Sequence, residues 1–238
     1  MAYSNLKVII VTGPSGTGKT QFINKVADSN LPEGEGSLEP CTRQIQEEKV
    51  SIDGSAVLLI DTPGFDAEEV SKIKKKIAEH LRWKYNEGAD VVGMVYMHSM
   101  SDNRIGDNVM KSLKAFRDIC GDEAMSHAVI VTNMWTRIRK EVGEGRERDL
   151  KLGEYGFRDA IEKGAKLRRH DGSAESARDI VKQLMQNQAI VLPCQSPVPS
   201  GSGESNCSEK WSEGCTVTAE SESTTSCCFK LPFFRRRK

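Results

Sequence analysis

The sequence predicts a three-layer α/β/α sandwich on a mainly parallel sheet, and three observations carry that prediction. Short β-rich runs alternate with amphipathic stretches from residue 1 to residue 192. A largely apolar run at the start passes directly into a glycine-rich turn, and an Asp-Gly dipeptide separates two later strands. Leu6–Thr12 is the buried first strand. Arg43–Asp53 and Ala56–Asp61 flank Asp53-Gly54, which readily takes the positive φ angles of a tight hairpin turn, so these two strands are antiparallel and form one edge of the sheet. After the Pro63-Gly64 break, Val70, Ile73, Ile77 and Leu81 recur at helical spacing, with Glu68 and Glu69 in the first turn where the helix dipole favours anions. Val91–Met97 is the fourth strand, and Ile105, Val109, Leu113 and Phe116 mark the next helix. Ala128–Thr132 is the fifth strand. Phe157 to Lys163 is helical with Gly164 as its C-terminal cap, Ala165–Arg169 is a short last strand, and Ser173 caps a final helix that turns Ala177, Ile180, Val181 and Leu184 inward.

Composition sets the domain plan. A chain of 238 residues suits one sizeable domain, here 1–192, plus an appendage. From Pro193 the periodicity ends and Ser, Gly, Glu, Thr and Pro dominate, a mixture that buries too little apolar surface to offset the entropy of ordering, so 193–238 is expected to be a disordered tail. Lys+Arg and Asp+Glu both number 34, which gives no global field to recruit nucleic acid. The apolar run Leu6–Val11 is too short for a secretory core or a membrane span, so a cytoplasmic location is expected. Cys41 and Cys120 stand alone and the other five of the seven cysteines lie beyond Leu192 without zinc-like spacing, which favours reduced thiols.

Gly13-Pro14-Ser15-Gly16-Thr17-Gly18-Lys19-Thr20 fits the pattern G-x-x-x-x-G-K-[ST] between a buried strand and a helix, with Gln21 next in line. Glycines let successive N–H groups point inward, and the positive end of the helix completes a cradle for a β-phosphate. Lys19 neutralises the β- and γ-phosphates, and the Thr20 hydroxyl suits Mg2+, a hard ion that takes oxygen donors. Asp61-Thr62-Pro63-Gly64 supplies the second half of the site: Asp61 holds the metal, through a water, and the Gly64 N–H approaches a γ-phosphate. Thr42, just before the second strand, is the candidate for a switch hydroxyl that joins the metal when the γ-phosphate is present. An ordinary loop threonine, with Ser37 nearby, is the other reading.

With Gly13–Thr20, Thr42 and Asp61-Thr62-Pro63-Gly64-Phe65 in order, residues 1–192 resemble the septin-like GTPases, which include septins, chloroplast import-receptor GTPases and immunity-associated GTPases. More narrowly, Tyr96-Met97-His98-Ser99-Met100-Ser101-Asp102, Phe116 to Gly121, Thr132-Asn133-Met134-Trp135 and Arg169-His170-Asp171 resemble a group of fungal G-domain proteins. The resemblance implies a Ras-like P-loop fold that binds GTP and GDP, hydrolyses GTP slowly with Mg2+, and pairs as a homodimer across the nucleotide face.

Two departures shape the expectation. A guanine-reading box is [NT]-K-x-D, whereas Thr132-Asn133-Met134-Trp135 has neither Lys nor Asp, and Thr136 follows the Trp where relatives carry Asp. Asn133 is the candidate base reader, Trp135 the candidate stacking surface and His170 the candidate closing residue; each also reads as an ordinary loop or core residue. Phe65 stands where a glutamine would orient water, so a dimer partner or another loop must supply that group; Arg43, Arg104 and His98 are placed in loops bordering the nucleotide. In the tail, Cys227-Cys228 with Phe229, Phe233, Phe234 and five basic side chains suits an anionic membrane surface if acylated, or serves as an unmodified basic end. The expected function is a slow GTP-dependent switch or scaffold; a P-loop ATPase and a catalytically silent nucleotide-binding module are the alternatives.

Overall fold

The computed structural model describes residues 6–32, 44–65, 70–102, 105–153 and 157–195. Six strands make one sheet in the order β2-β3-β1-β4-β5-β6. They are β1 (Lys7–Thr12), β2 (Gln46–Ile52), β3 (Ser55–Asp61), β4 (Asp90–Ser99), β5 (Ala128–Asn133) and β6 (Lys166–Arg169). The central strands β1, β3, β4 and β5 are nearly continuous apolar runs because helices cover both faces, as parallel sheets require. Neighbouring strands run parallel except β2 and β3, which pair antiparallel at the edge. Their turn is the expected Asp53-Gly54, with φ of 50° and 79°.

Among the described residues six α-helices accompany these strands: α1 (Lys19–Ala27), α2 (Val70–Asn86), α3 (Asp107–Cys120), α4 (Lys140–Leu152), α5 (Phe157–Glu162) and, after the last strand, α6 (Ala174–Met185). One face of the sheet buries Phe22, Ile23 and Val26 of α1 with Ala177, Ile180, Val181 and Leu184 of α6 against Ile9, Val11, Leu59 and Val95. The other buries Ile73, Ile77 and Leu81 of α2 and Leu113 and Phe116 of α3 against Val8, Ile10, Ile60 and Tyr96. Full burial of such side chains contributes about 1.5–3 kcal/mol each, which fixes the register of the sheet and so the positions of its loops. Ser173 caps α6 as expected, accepting from the Ser176 N–H.

Several details differ from the expectations. Helix α4 is absent from the predicted elements; its inner positions are Gly143, Glu147 and Leu150, which present no apolar stripe. Strand β4 runs on to Ser99, so His98 is a buried strand residue and not a loop residue. Packed structure also continues past residue 192: Pro193–Gln195 forms a short 3-10 turn with Cys194 and Gln195 buried, and the chain divides at Ser196. Ile105 precedes α3 instead of opening it, while Glu68 and Glu69 lie outside the described residues.

Candidate functional site

The parallel strands deliver Thr12, Asp61 and Asn133 to one edge of the sheet, the carboxyl ends where ligands bind in open α/β folds. Thr12 Oγ1 donates to the Val95 carbonyl at 3.0 Å and ties β1 to β4 just below the turn. Gly13 then takes φ 141°, and a Cβ there would fall 2.4 Å from the Met97 carbonyl oxygen, so only glycine fits. Gly16 and Gly18 follow at φ 75° and 88°, which curls the backbone into the start of α1. Inside the loop the Pro14 carbonyl accepts from Thr17 Oγ1 and from Lys19 Nζ, both at 2.9 Å. Lys19 is 6% exposed, so its ammonium is held over the loop and not in solvent. Ser15 and Gly16 form the exposed tip, and Gln21 projects from the first turn of α1 to solvent.

The Asp61–Phe65 segment lies directly on this loop. Thr62 Oγ1 donates to the Val11 carbonyl at 2.9 Å, and the Phe65 N–H donates to the Gly13 carbonyl at 3.2 Å. A Cβ on Gly64 would stand 2.2 Å from Ser15 Oγ and 2.6 Å from Ser15 N, so the close approach requires glycine. Phe65 is fully buried in the same core cluster as Ile73, Ile77 and Leu81 of α2, which anchors the segment. Thr20 Oγ1 donates to Asp61 Oδ2 at 2.6 Å. A hydroxyl and a carboxylate side by side at the end of a phosphate-type loop are hard oxygen donors of the kind Mg2+ takes, so Thr20 and Asp61 fit that ion.

The three residues expected on the base side converge on the end of β5. Asn133 Nδ2 donates to the Thr17 carbonyl at 3.1 Å, and its Oδ1 accepts from the Met134 N–H at 2.7 Å, which locks the amide against the phosphate loop. The Thr132 carbonyl accepts from the His170 N–H at 2.8 Å and from Trp135 Nε1 at 3.1 Å. The His170 ring meets Phe22 edge-on at 5.3 Å and pairs with Ser176 Oγ at 3.1 Å; burial holds its pKa below the ordinary histidine value. The Trp135 ring carries the Arg169 guanidinium at 4.3 Å, and Arg169 is gripped by Glu147 at 3.0 and 2.7 Å. That contact draws the Arg169 pKa up and the Glu147 pKa down. Sequence reasoning missed Thr132, Gly143, Glu147 and Arg169 as positioning residues. Arg169 was visible beside His170, but its partner Glu147 lies on the helix that periodicity did not reveal.

Thr42, Arg43 and Arg104 fall outside the described residues. His98 is 5% exposed beneath Phe157, ring centroids 5.1 Å apart, and burial lowers its pKa to about 4. His98 is thus a neutral, enclosed imidazole within β4, paired in register with Thr132 of β5.

A glycine cradle at a helix start, a buried lysine over it and a Thr–Asp oxygen pair beneath Gly64 define a switch-type P-loop nucleotide-binding protein. The chain belongs to the AIG1 family, whose model matches residues 7–142. No curated protein matches the sequence. Among solved structures it is similar to a dimerisation-deficient variant of Toc33 from Arabidopsis thaliana, at 14% identity and TM-score 0.59 over 79% of this chain and 87% of that one. Toc33 in complex with Mg2+ and GMPPNP matches at 14% identity and TM-score 0.58, over 78% and 87% of the two chains. A bacterial selenocysteine-specific elongation factor matches at 16% identity and TM-score 0.51, over 75% of this chain and 28% of that one. At these identities the likeness establishes the α/β P-loop fold with its six-stranded, mostly parallel sheet.

Proposed function

We propose that this chain binds GTP and GDP with Mg2+ and hydrolyses GTP slowly, as a switch whose turnover depends on dimerisation across the nucleotide face. The observation that carries the reading is the 2.6 Å Thr20–Asp61 contact set beneath a loop that only glycines can form. Backbone amides from Gly13 to Thr20 bind the phosphates, Lys19 leaves the Pro14 carbonyl to meet their charge, and Thr20 and Asp61 hold the metal. Bound there, Mg2+ neutralises charge on the β- and γ-oxygens. Gly64 presents its N–H to the γ-phosphate, and Thr42 is proposed to add its hydroxyl in that state. Water attacks the γ-phosphorus, the bond to the β-phosphate oxygen breaks, and GDP, phosphate and a proton leave.

Support for dimer-dependent turnover comes from Phe65: a ring buried in the core orients no water, so the missing group has to come from elsewhere. For Toc33 and a related chloroplast translocon component, dimerisation is important for GTPase activity. Base recognition is proposed to run through Asn133, Trp135 and His170, with the Asn133 amide held in place by Thr17. The same burial of Phe65 favours a second reading, a module that binds nucleotide without turnover. Phosphate release measured across protein concentrations separates the two: specific activity rises with concentration on the first reading and stays at background on the second.

The Cys227-Cys228 pair and the basic residues of the tail are proposed to contact an anionic membrane from the cytoplasmic side. Among the described residues, no helix is long and apolar enough to cross a membrane.

A further inference from the structure

Charge is segregated on this neutral chain. On the outer side of the α2/α3 layer, Lys72, Lys75, Lys76 and Arg82 of α2 and Lys111 and Lys114 of α3 are exposed, against exposed Glu79 and Asp107. The two helices pack side by side on one face of the sheet and are pinned by Lys74 and Asp118 at 2.5 Å. On the opposite layer the exposed charges of α1 and α6 balance, Lys25 and Arg178 against Glu175 and Asp179.

Two further observations select a partner for the basic face. Trp83, near the end of α2, lies against the Lys84 ammonium at 4.3 Å and the edge of His80 at 5.8 Å, yet is 53% exposed, leaving a large amphipathic ring partly open in the way membrane interfaces stabilise. The last described residues also lie beside it: Arg82 Nε donates to the Cys194 carbonyl at 3.2 Å, and Gln195 Nε2 to the Leu81 carbonyl at 3.3 Å. The sequence that leaves from this point carries, at 227–238, two adjacent thiols, three phenylalanines and five basic residues.

We propose that the outer face of the α2/α3 layer is a docking surface for an anionic membrane leaflet, with Trp83 among the headgroups and the lysines over lipid phosphates and carboxylates. Lysine stems lie along the surface while their ammonium groups reach the charge. Each cation near such a surface contributes roughly five-fold in affinity, and the attraction fades within a Debye length as salt rises. The surface acts alongside the tail, whose composition is one of the observations that select a lipid partner, but its own binding rests on the α2/α3 cations and Trp83. In chain order α2 is the next helix after the Asp61–Phe65 segment, beginning at Val70.

The test is co-sedimentation of the full, unacylated chain with phosphatidylserine-containing vesicles and with pure phosphatidylcholine vesicles. The parent binds the anionic vesicles and loses binding in high salt. The triple variant Lys76→Glu, Lys111→Glu, Lys114→Glu weakens binding by more than roughly a hundred-fold, the loss expected from neutralising three cations alone. Trp83→Ala weakens it further, and both variants keep the parent's nucleotide affinity. Should the triple variant lose nucleotide binding, Lys76→Gln, Lys111→Gln, Lys114→Gln serves instead, with a smaller loss expected. Replacing Arg235, Arg236, Arg237 and Lys238 by Ser leaves part of the anionic binding, which the α2/α3 variants then remove. Parent-like binding by the α2/α3 variants overturns the docking surface and leaves the tail as sole contact; failure of the parent to bind anionic vesicles overturns both.

Discussion

Gly64 shows how much of the site rests on single atoms. Its missing Cβ lets the Asp61–Phe65 segment lie on Ser15, and a methyl there would sit 2.2–2.6 Å from Ser15 atoms. Gly64→Ala must lift the segment off the loop. We expect hydrolysis to fall at least roughly ten-fold while the fold survives, because overpacking at this one loop position costs about 1–3 kcal/mol against a core anchored elsewhere. A melting curve beside single-turnover kinetics checks this. His98 makes a different prediction. Its folded pKa of about 4 lies below the ordinary value of 6.5, so the unfolded chain binds the proton first. Stability is therefore full above pH 6.5 and drains as pH falls toward 4, by on the order of 3 kcal/mol from this residue. His80 and His170, also lowered chiefly by burial, pull the same way. Urea midpoints of His98→Gln should depend on pH less steeply than those of the parent; parallel curves would count against the assignment.

At the scale of elements, the strands and the loops at their tips were legible because both obey strong local rules. Asp53-Gly54 marked the hairpin through its positive φ angles, and the buried strands announced themselves as apolar runs. The phosphate loop was readable for the same reason, since its glycines are dictated by backbone geometry. Helix α4 was not, because its inner face carries Gly143 to admit the Trp135 ring, where a Cβ would lie 2.7 Å from Cζ3, and Glu147 to hold Arg169. Neither residue is apolar, so no hydrophobic period records the packing. His98 was misplaced because the end of β4 extends two residues past its last apolar position. The α4 contacts are open to test. Glu147→Gln releases Arg169 from the Trp135 face, and since Arg169 is half exposed the effect should be modest, about 1 kcal/mol or roughly five-fold in nucleotide affinity. Competition titration with GTP and ATP would reveal it; unaltered affinity and unaltered preference would remove Trp135 from base recognition.

For the molecule as a whole, a single sheet organises two functions on different surfaces. Its carboxyl edge gathers the phosphate loop, the Thr20–Asp61 pair and the end of β5, while the α2/α3 layer presents cations and Trp83 outward. The two are linked through the Asp61–Phe65 segment, which touches the loop at one end and whose Phe65 is buried with α2 in the same core. Membership of the AIG1 family and the likeness to Toc33 accord with the architecture, and the chemistry hangs on whether the loop grips a nucleotide. The most direct measurement is calorimetric titration of GDP into the nucleotide-stripped protein with Mg2+, set against Lys19→Ala. Loss of one charge-assisted contact should weaken binding roughly ten- to hundred-fold in a variant whose melting temperature is maintained. Equal affinity in the two folded proteins would contradict the account.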